Sequence, residues 1–318
     1  MIYDINGNIL CDDKLIGNFT AEQCTSAFLD YMAQKCVLYG MTGTRYDNPS
    51  GLIYTSYSTP QDEMKLGIAI LANREASSIW ATPDRSFNIG GENARTISVV
   101  NNVLNGTGET LNAAGYKFLG GKGGSLASST NGYHRASLDV VDINGVAVVI
   151  ALMALGQTAY SNIQLSAKEL CDMVKASLDG NTPTPGTNLQ YLVANGGGYC
   201  ACIVPTAKES YVNLMTPAEL LLRDHSIYNS QTVSRVPAST TKAMTMMCAL
   251  DYITNPYDIV TVKTPDIVGG SGSTFYDGDV LTMHDALRIM MMESSNTLAN
   301  TIGRETGRKI LSYSISSS

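Results

Sequence analysis

The chain has 318 residues, of which 44% are apolar and 15% charged, and carries a net charge of −7. That length buries a sizeable core without metal or disulfide staples, and the composition is that of neither a disordered chain nor a coiled coil. No uninterrupted apolar run is long enough to span a membrane, and without a Lys/Arg cluster there is no basic footprint for nucleic acid.

Thr20-Ala21-Glu22-Gln23 has the spacing of a capping box, with Phe28, Met32, Val37 and Leu38 as the apolar face of a helix of about 19 residues. Thr59 followed by Pro60 opens a second helix, whose buried stripe is Met64, Ile68 and Leu71. Three strands follow, Tyr116 to Leu126, Tyr133 to Ile143 and Val146 to Leu155, the last two joined by the hairpin pair Asn144-Gly145. A helix from Ser161 to Ser177 precedes a Pro/Gly-rich linker at 179–188. Beyond it the pattern gives a strand from Tyr199 to Val204 and a helix after Pro237 with Met244, Met247, Cys248 and Leu250 buried. A last helix is capped by Thr282 and runs to about Gly303. The tail 306–318 is low in complexity and is expected to be flexible.

Residues Met1 to Gly7 lack the basic and apolar regions of a secretory signal, so the chain is expected to stay inside or leave by another route. Seven cysteines, Cys11, Cys24, Cys36, Cys171, Cys200, Cys202 and Cys248, form no Cys-x-x-Cys pair and read as buried thiols. His134, His225 and His284 have no metal-ligand spacing, and no metal or other cofactor is expected. Gly121-Lys122 does not complete a phosphate-binding loop, because position 116 is tyrosine.

The string richest in chemistry is Pro237-Ala238-Ser239-Thr240-Thr241-Lys242. At a helix start Ser239 and Lys242 share a face, so a desolvated lysine can take the proton of a serine nucleophile beside backbone N–H groups suited to an oxyanion. Taken alone, the same residues suit an N-cap serine and an exposed lysine.

This string, followed by Gly272-Ser273-Thr274, Asp277-Gly278-Asp279-Val280-Leu281-Thr282 and Ser294-Ser295-Asn296, resembles the D-alanyl-D-alanine carboxypeptidase family of penicillin-binding proteins. In that family a Ser-x-Asn element faces the nucleophile; here Ser295 replaces the usual glycine. The family's Lys-Thr-Gly strand normally comes last. Its counterpart here, Lys122-Gly123-Gly124, lies upstream, with Gly123 in place of a threonine that helps hold the substrate carboxylate and Ser125 offering a hydroxyl nearby. Residues Gly40 to Leu52 are similar to a segment the family carries between those two elements. Segment 20–178 therefore resembles the family's second half and segment 189–305 its first, joined through 179–188 as a circular permutation within one domain. The competing arrangement is a slice of a tandem array.

The resemblance implies an α+β serine hydrolase, with an antiparallel sheet flanked by helices and a helical lobe carrying Ser294 to Asn296. Its substrate would be a peptidoglycan stem peptide, with β-lactams as ligands. Ser239 would be nucleophile and Lys122, Lys242, Ser294 and Asn296 its catalytic partners. Ser125, Gly123 and Gly124 would bind the oxyanion and substrate. Such a substrate implies the cell envelope, reached by lysis or on a phage particle. The alternatives are an inactive binding module on the same fold and a β-lactamase or esterase.

Overall fold

The structure is a computed structural model and describes residues 19–128, 132–156, 160–205, 215–253, 255 and 257–316; residues Met1 to Gly7 and Cys11 lie outside the described residues. Helix α1 (Ala21–Leu38) starts at its capping box, where Thr20 Oγ1 accepts from the Gln23 amide and Gln23 Oε1 from the Thr20 amide. Phe28, Met32 and Cys36 form its buried stripe at four-residue intervals. Val37 and Leu38, expected on that face, rotate off it and are 80% and 69% exposed.

Thr59 caps α2 (Pro60–Ala72), which is buried on nearly every side and carries Asp62, Glu63 and Lys65 into the interior. After α3 (Arg74–Trp80) come the ribbon β1 (Arg85–Ile89) and β2 (Arg95–Val99), then a π-helical turn at Leu104–Gly108 leading into α4 (Glu109–Ala113). The three expected strands are β3 (Lys117–Ser128), β4 (Gly132–Ile143) and β5 (Val146–Leu155), with Asn144 and Gly145 at φ 56° and 83° as the type I′ hairpin demands. α5 (Tyr160–Leu178) closes the segment.

The join is shorter than the sequence suggests. Thr187 and Asn188 already belong to α6 (Thr187–Ala194), because the Glu169 carboxylate of α5 accepts from the backbone amides of Asn188 and Leu189 and from the Asn188 side chain. β6 (Gly198–Ile203), α7 (Pro217–Leu221) and β7 (Ile227–Asn229) follow.

One antiparallel sheet runs β3-β4-β5-β6-β7, and the β5–β6 pairing, from Val148 opposite Ile203 to Met153 opposite Gly198, ties the two segments together. Leu138, Val140, Val149, Ala151, Cys200 and Cys202 face a core shared with α2; Val141, Ile143, Val148, Ile150 and Leu152 face a second core under α5. The molecule is thus an α+β protein with helices on both sheet faces.

Beyond a 3₁₀ turn at Ala238–Thr240, α8 (Thr241–Leu250) carries the methionine-rich stretch, and Met244, Met246 and Met247 are core side chains. The ribbon β8 (Ile259–Thr261) and β9 (Val280–Thr282) precedes α9 (Met283–Glu293), capped by Thr282 Oγ1. The single helix expected from Thr282 to Gly303 is interrupted: Ser294 takes a left-handed conformation, φ 65°, and α10 (Asn296–Ser316) begins anew.

The expected flexible tail is also corrected, since α10 is helical through Ser316. Arg304 is the anchor, its guanidinium donating to Asp266 and to the neighbouring Glu305 within the core. Gly307 then meets α1 so closely that a Cβ would stand 1.8 Å from the Cys24 carbonyl oxygen. The six described cysteines are buried and unbridged, and no helix among the described residues is long and apolar enough to cross a membrane.

Gly307→Ala must push α10 off α1 and is expected to cost about 1–3 kcal/mol as overpacking, read as a lowered melting temperature. An unchanged melt would mean that the two helices do not pack there in solution.

Candidate functional site

Ser239 sits in the short turn before α8 rather than at its cap, which is Thr240. The turn is forced by Ala238, a non-glycine residue at φ 50°, a conformation that persists only where its surroundings impose it. Part of the restraint is Gly51. It lies at φ 77°, and a Cβ there would fall 1.8 Å from the Ala238 carbonyl oxygen.

Lys242, one helical turn on, is fully buried, which removes the exposed-lysine reading. Its Nζ lies 2.9 Å from Ser239 Oγ, 2.6 Å from the Ser50 carbonyl oxygen and 2.8 Å from Asn296 Oδ1. Asn296 Nδ2 donates to the Gly269 carbonyl, which fixes the amide so that its oxygen faces the lysine. Burial and the nearby positive charge of Lys122 drive the Lys242 pKa well below its ordinary value. A neutral amine fits the three contacts: two N–H groups go to Ser50 O and Asn296 Oδ1, and the lone pair meets the Ser239 hydroxyl.

The interruption between α9 and α10 has a chemical product. Ser294 projects its hydroxyl toward Lys122, whose Nζ donates to Ser294 Oγ at 3.0 Å and to the Gly123 carbonyl at 2.8 Å. Ser295 is buried, and its Oγ accepts from the Leu298 amide. The two adjacent serines thus divide their work, one serving the cleft and the other capping α10. Burial lowers the Lys122 pKa to about 7, with the charge of Asp139 opposing the shift.

Gly124 brings strand backbone up to the Ser239 turn. A Cβ on Gly124 would be 2.5 Å from the Pro237 carbonyl oxygen and 3.0 Å from the Ser239 amide nitrogen, so only glycine allows this approach. Ser125 Oγ accepts from Arg135 Nη1 at 2.6 Å, and that guanidinium lies over the Tyr133 ring. A cleft of about 160 Å³ is lined by Ser239, Lys122, Gly123, Gly124, Ser125 and Ser294, with Ser271 and Glu293 across from the strand. Two larger hollows, of about 590 and 580 Å³, lie beside Lys35 and Asp251 and beside Cys36 and Tyr57, away from the serine–lysine pair.

All the residues singled out in the sequence therefore contribute to this region: Lys122, Gly123, Gly124, Ser125, Ser239 and Ser294 at the cleft wall, Lys242 and Asn296 directly behind it. Sequence reasoning missed Arg135, which strand register places opposite Ser125, and the Ser50 carbonyl. It also missed Glu63, buried beneath the turn, whose Oε1 accepts from the Tyr46 hydroxyl; burial raises its pKa to about 7 against the opposing influence of the Ser58, Thr240 and Tyr46 hydroxyls. No family model, no curated protein and no solved structure matches this chain.

Because the Glu63 pKa is raised from 4.5 to about 7, its contribution to stability is complete below 4.5 and is lost as the pH rises through about 7. Glu63→Gln is therefore expected to melt above the parent protein near pH 8 and close to it near pH 5, in thermal scans at both values. A gain that is the same at both would contradict a carboxyl held neutral.

Proposed function

We propose that this chain is a serine acyl-transfer enzyme of the D-alanyl-D-alanine carboxypeptidase type, a penicillin-binding fold in circularly permuted order, acting on peptidoglycan stem peptides. The observation that carries the reading is the buried Lys242 amine directed at Ser239, with its other two partners already fixed.

In this mechanism Ser239 Oγ attacks the carbonyl between the two terminal D-alanines and passes its proton to Lys242. The oxyanion lies between the backbone N–H groups of Ser239 and Ser125; β3 is an edge strand, so its outward amides have no sheet partner. Ser294, hydrogen-bonded to the Lys122 ammonium, delivers a proton to the leaving amine, and Asn296 holds both Lys242 and the substrate amide. Water then cleaves the Ser239 ester, its proton restoring the Lys122 ammonium through Ser294, and Lys242 returns its proton to the Ser239 oxygen, so that both lysines regain their starting states. For the substrate carboxylate, Lys122 and the Ser125-held Arg135 guanidinium offer positive charge where Gly123 leaves out the family's threonine hydroxyl.

The binding-module alternative goes with a splayed cleft, and the hydrogen-bond spacing of Lys242 to Ser239 and of Lys122 to Ser294 supports turnover instead. A β-lactamase or esterase would use the same groups and differ in how fast water releases the acyl group.

Incubation with a penicillin is expected to add one ligand mass to the intact chain and none to Ser239→Ala, and a D-Ala-D-Ala pentapeptide is expected to release D-alanine. A folded protein giving neither adduct nor D-alanine sinks the proposal; rapid penicillin hydrolysis without D-alanine release moves it to a β-lactamase. Loss of the general base in Lys242→Ala should slow acylation by about 10²–10⁴-fold. Arg135→Gln is expected to raise KM for the free-carboxylate peptide while leaving the peptide amide nearly unaffected, measured by steady-state kinetics on both.

A further inference from the structure

Two lysines are buried here, Lys122 in the cleft wall and Lys242 directly behind it, and among the described residues neither has a carboxylate within ion-pair distance. Two desolvated ammonium groups this close cannot both hold their charge cheaply. What decides which one keeps it lies behind the sheet.

In an antiparallel pair, directly opposed residues share a face. Lys122 is opposite Leu138, on the cleft side, whereas Asp139 is opposite Gly121 and Ile150, on the side of α5. Asp139 is completely buried among apolar residues of that second core. Ser137 donates to Oδ2 at 2.6 Å, and Oδ1 has no hydrogen-bond partner. Room for that bare oxygen is made by Gly121, where a Cβ would stand 2.2 Å from it. A carboxyl so placed is costly in an apolar core, and among the described residues the cation that acts on it is Lys122, the residue next to that glycine.

We propose that Asp139, acting through the sheet from its far face, holds the proton on Lys122 and so leaves Lys242 as the neutral amine of the pair. Asp139 is then a positioning residue for the acyl transfer. The inference rests on the function proposed above, because it assigns the two lysines their separate roles there. One carboxylate balances one of two ammonium groups. The ammonium nearer to it stays charged beside Ser294, and burial together with repulsion from that charge strips the proton from the other.

The groups facing this arrangement are few. Lys122 faces Asp139 from β4, Lys242 from α8, the Ser294 hydroxyl at the end of α9 and, across the cleft, the Glu293 carboxyl, whose two oxygens are engaged by the Ser273 amide and hydroxyl. Asp139 meets Lys122, the Ser137 hydroxyl and, from α5, the Cys171 thiol, which burial pushes up so that it stays protonated. Burial raises the Asp139 pKa to about 7, so the carboxylate and the ammonium titrate in the same range and support each other.

Asp139→Asn and Ser137→Ala test this in the full chain by two readouts. The first is the titration of lysine Cε resonances in ¹³C-lysine-labelled protein, with Lys122 assigned through Lys122→Arg. The second is the pH dependence of acylation by a penicillin at Ser239. In Asp139→Asn the Lys122 titration is expected to move down by about one pH unit or more, and the alkaline limb of acylation to move with it. At neutral pH the acylation rate should fall about tenfold. Ser137→Ala, which removes the hydrogen bond favouring the anion, is expected to shift Lys122 in the same direction by less, and it decides the matter if Asp139→Asn does not fold. A Lys122 titration that superimposes on the parent in the folded variants overturns the inference, even if the melting temperature drops. Absence of any penicillin adduct in the parent would instead count against the acyl-transfer reading, with the resonance titration still deciding the link between Asp139 and Lys122.

Discussion

A lysine nitrogen removed from water must find a partner for every N–H and lone pair it carries, or its burial opposes folding. Lys242 meets this demand with groups from three distant parts of the chain: the Ser50 carbonyl, the Ser239 hydroxyl one turn away and the Asn296 amide oxygen. The loop after α1, the turn before α8 and the start of α10 must all be in place for the nitrogen to be satisfied. Neighbouring contacts repeat the same tie, with Thr245 Oγ1 donating to the Pro49 carbonyl and Gly51 backed against Ala238. The constraint that shapes the chemistry is therefore the one that holds the segments together.

Around this point the backbone is unusually close-set. Gly124 lets β3 touch the Ser239 turn, and Ala238 is held at positive φ. Ser294 spends its left-handed conformation on ending one helix and aiming a hydroxyl at Lys122. None of these features stabilises the protein by itself. Each is affordable because two apolar cores, one on either side of the sheet, fix the elements that carry them.

Features whose cause is local were readable in the sequence. Caps at Thr20, Thr59 and Thr282, the Asn144-Gly145 hairpin and the three-residue spacing of Ser239 and Lys242 depend on neighbours within a turn, and the chain states them directly. The break at Ser294 was only half readable: the polar run Glu293 to Thr297 interrupts the apolar face, but with neither proline nor glycine in it the chain does not state that the helix ends there, and the break is imposed by the fit of α9 and α10 to the core and to Lys122. The tail looked featureless because its serines conceal what precedes them, the Arg304–Asp266 pair and the glycine contact with α1. The short ribbons β1–β2 and β8–β9 give too few residues for a period to show. Arg135 and Asp139 become meaningful only with a strand register, which turns a count along β4 into a position opposite Ser125 or Gly121.

The order of strands in the sheet, β3-β4-β5-β6-β7, is also their order in the chain. Each pairing is thus between strands consecutive in the chain: β3, β4 and β5 follow one another within a few residues, while α5 and α6 lie between β5 and β6 and α7 between β6 and β7, so the sheet is built from contacts of modest sequence separation. The groups of the candidate site obey the opposite rule: Lys242 reaches Ser50 across 192 residues and Asn296 across 54, and Lys122 reaches Ser294 across 172. These long closures bring together the two flanks of a sheet that can already stand. The candidate site is in this sense the seam of the molecule, assembled when the outer parts of the chain meet and parted by any opening that lets them separate.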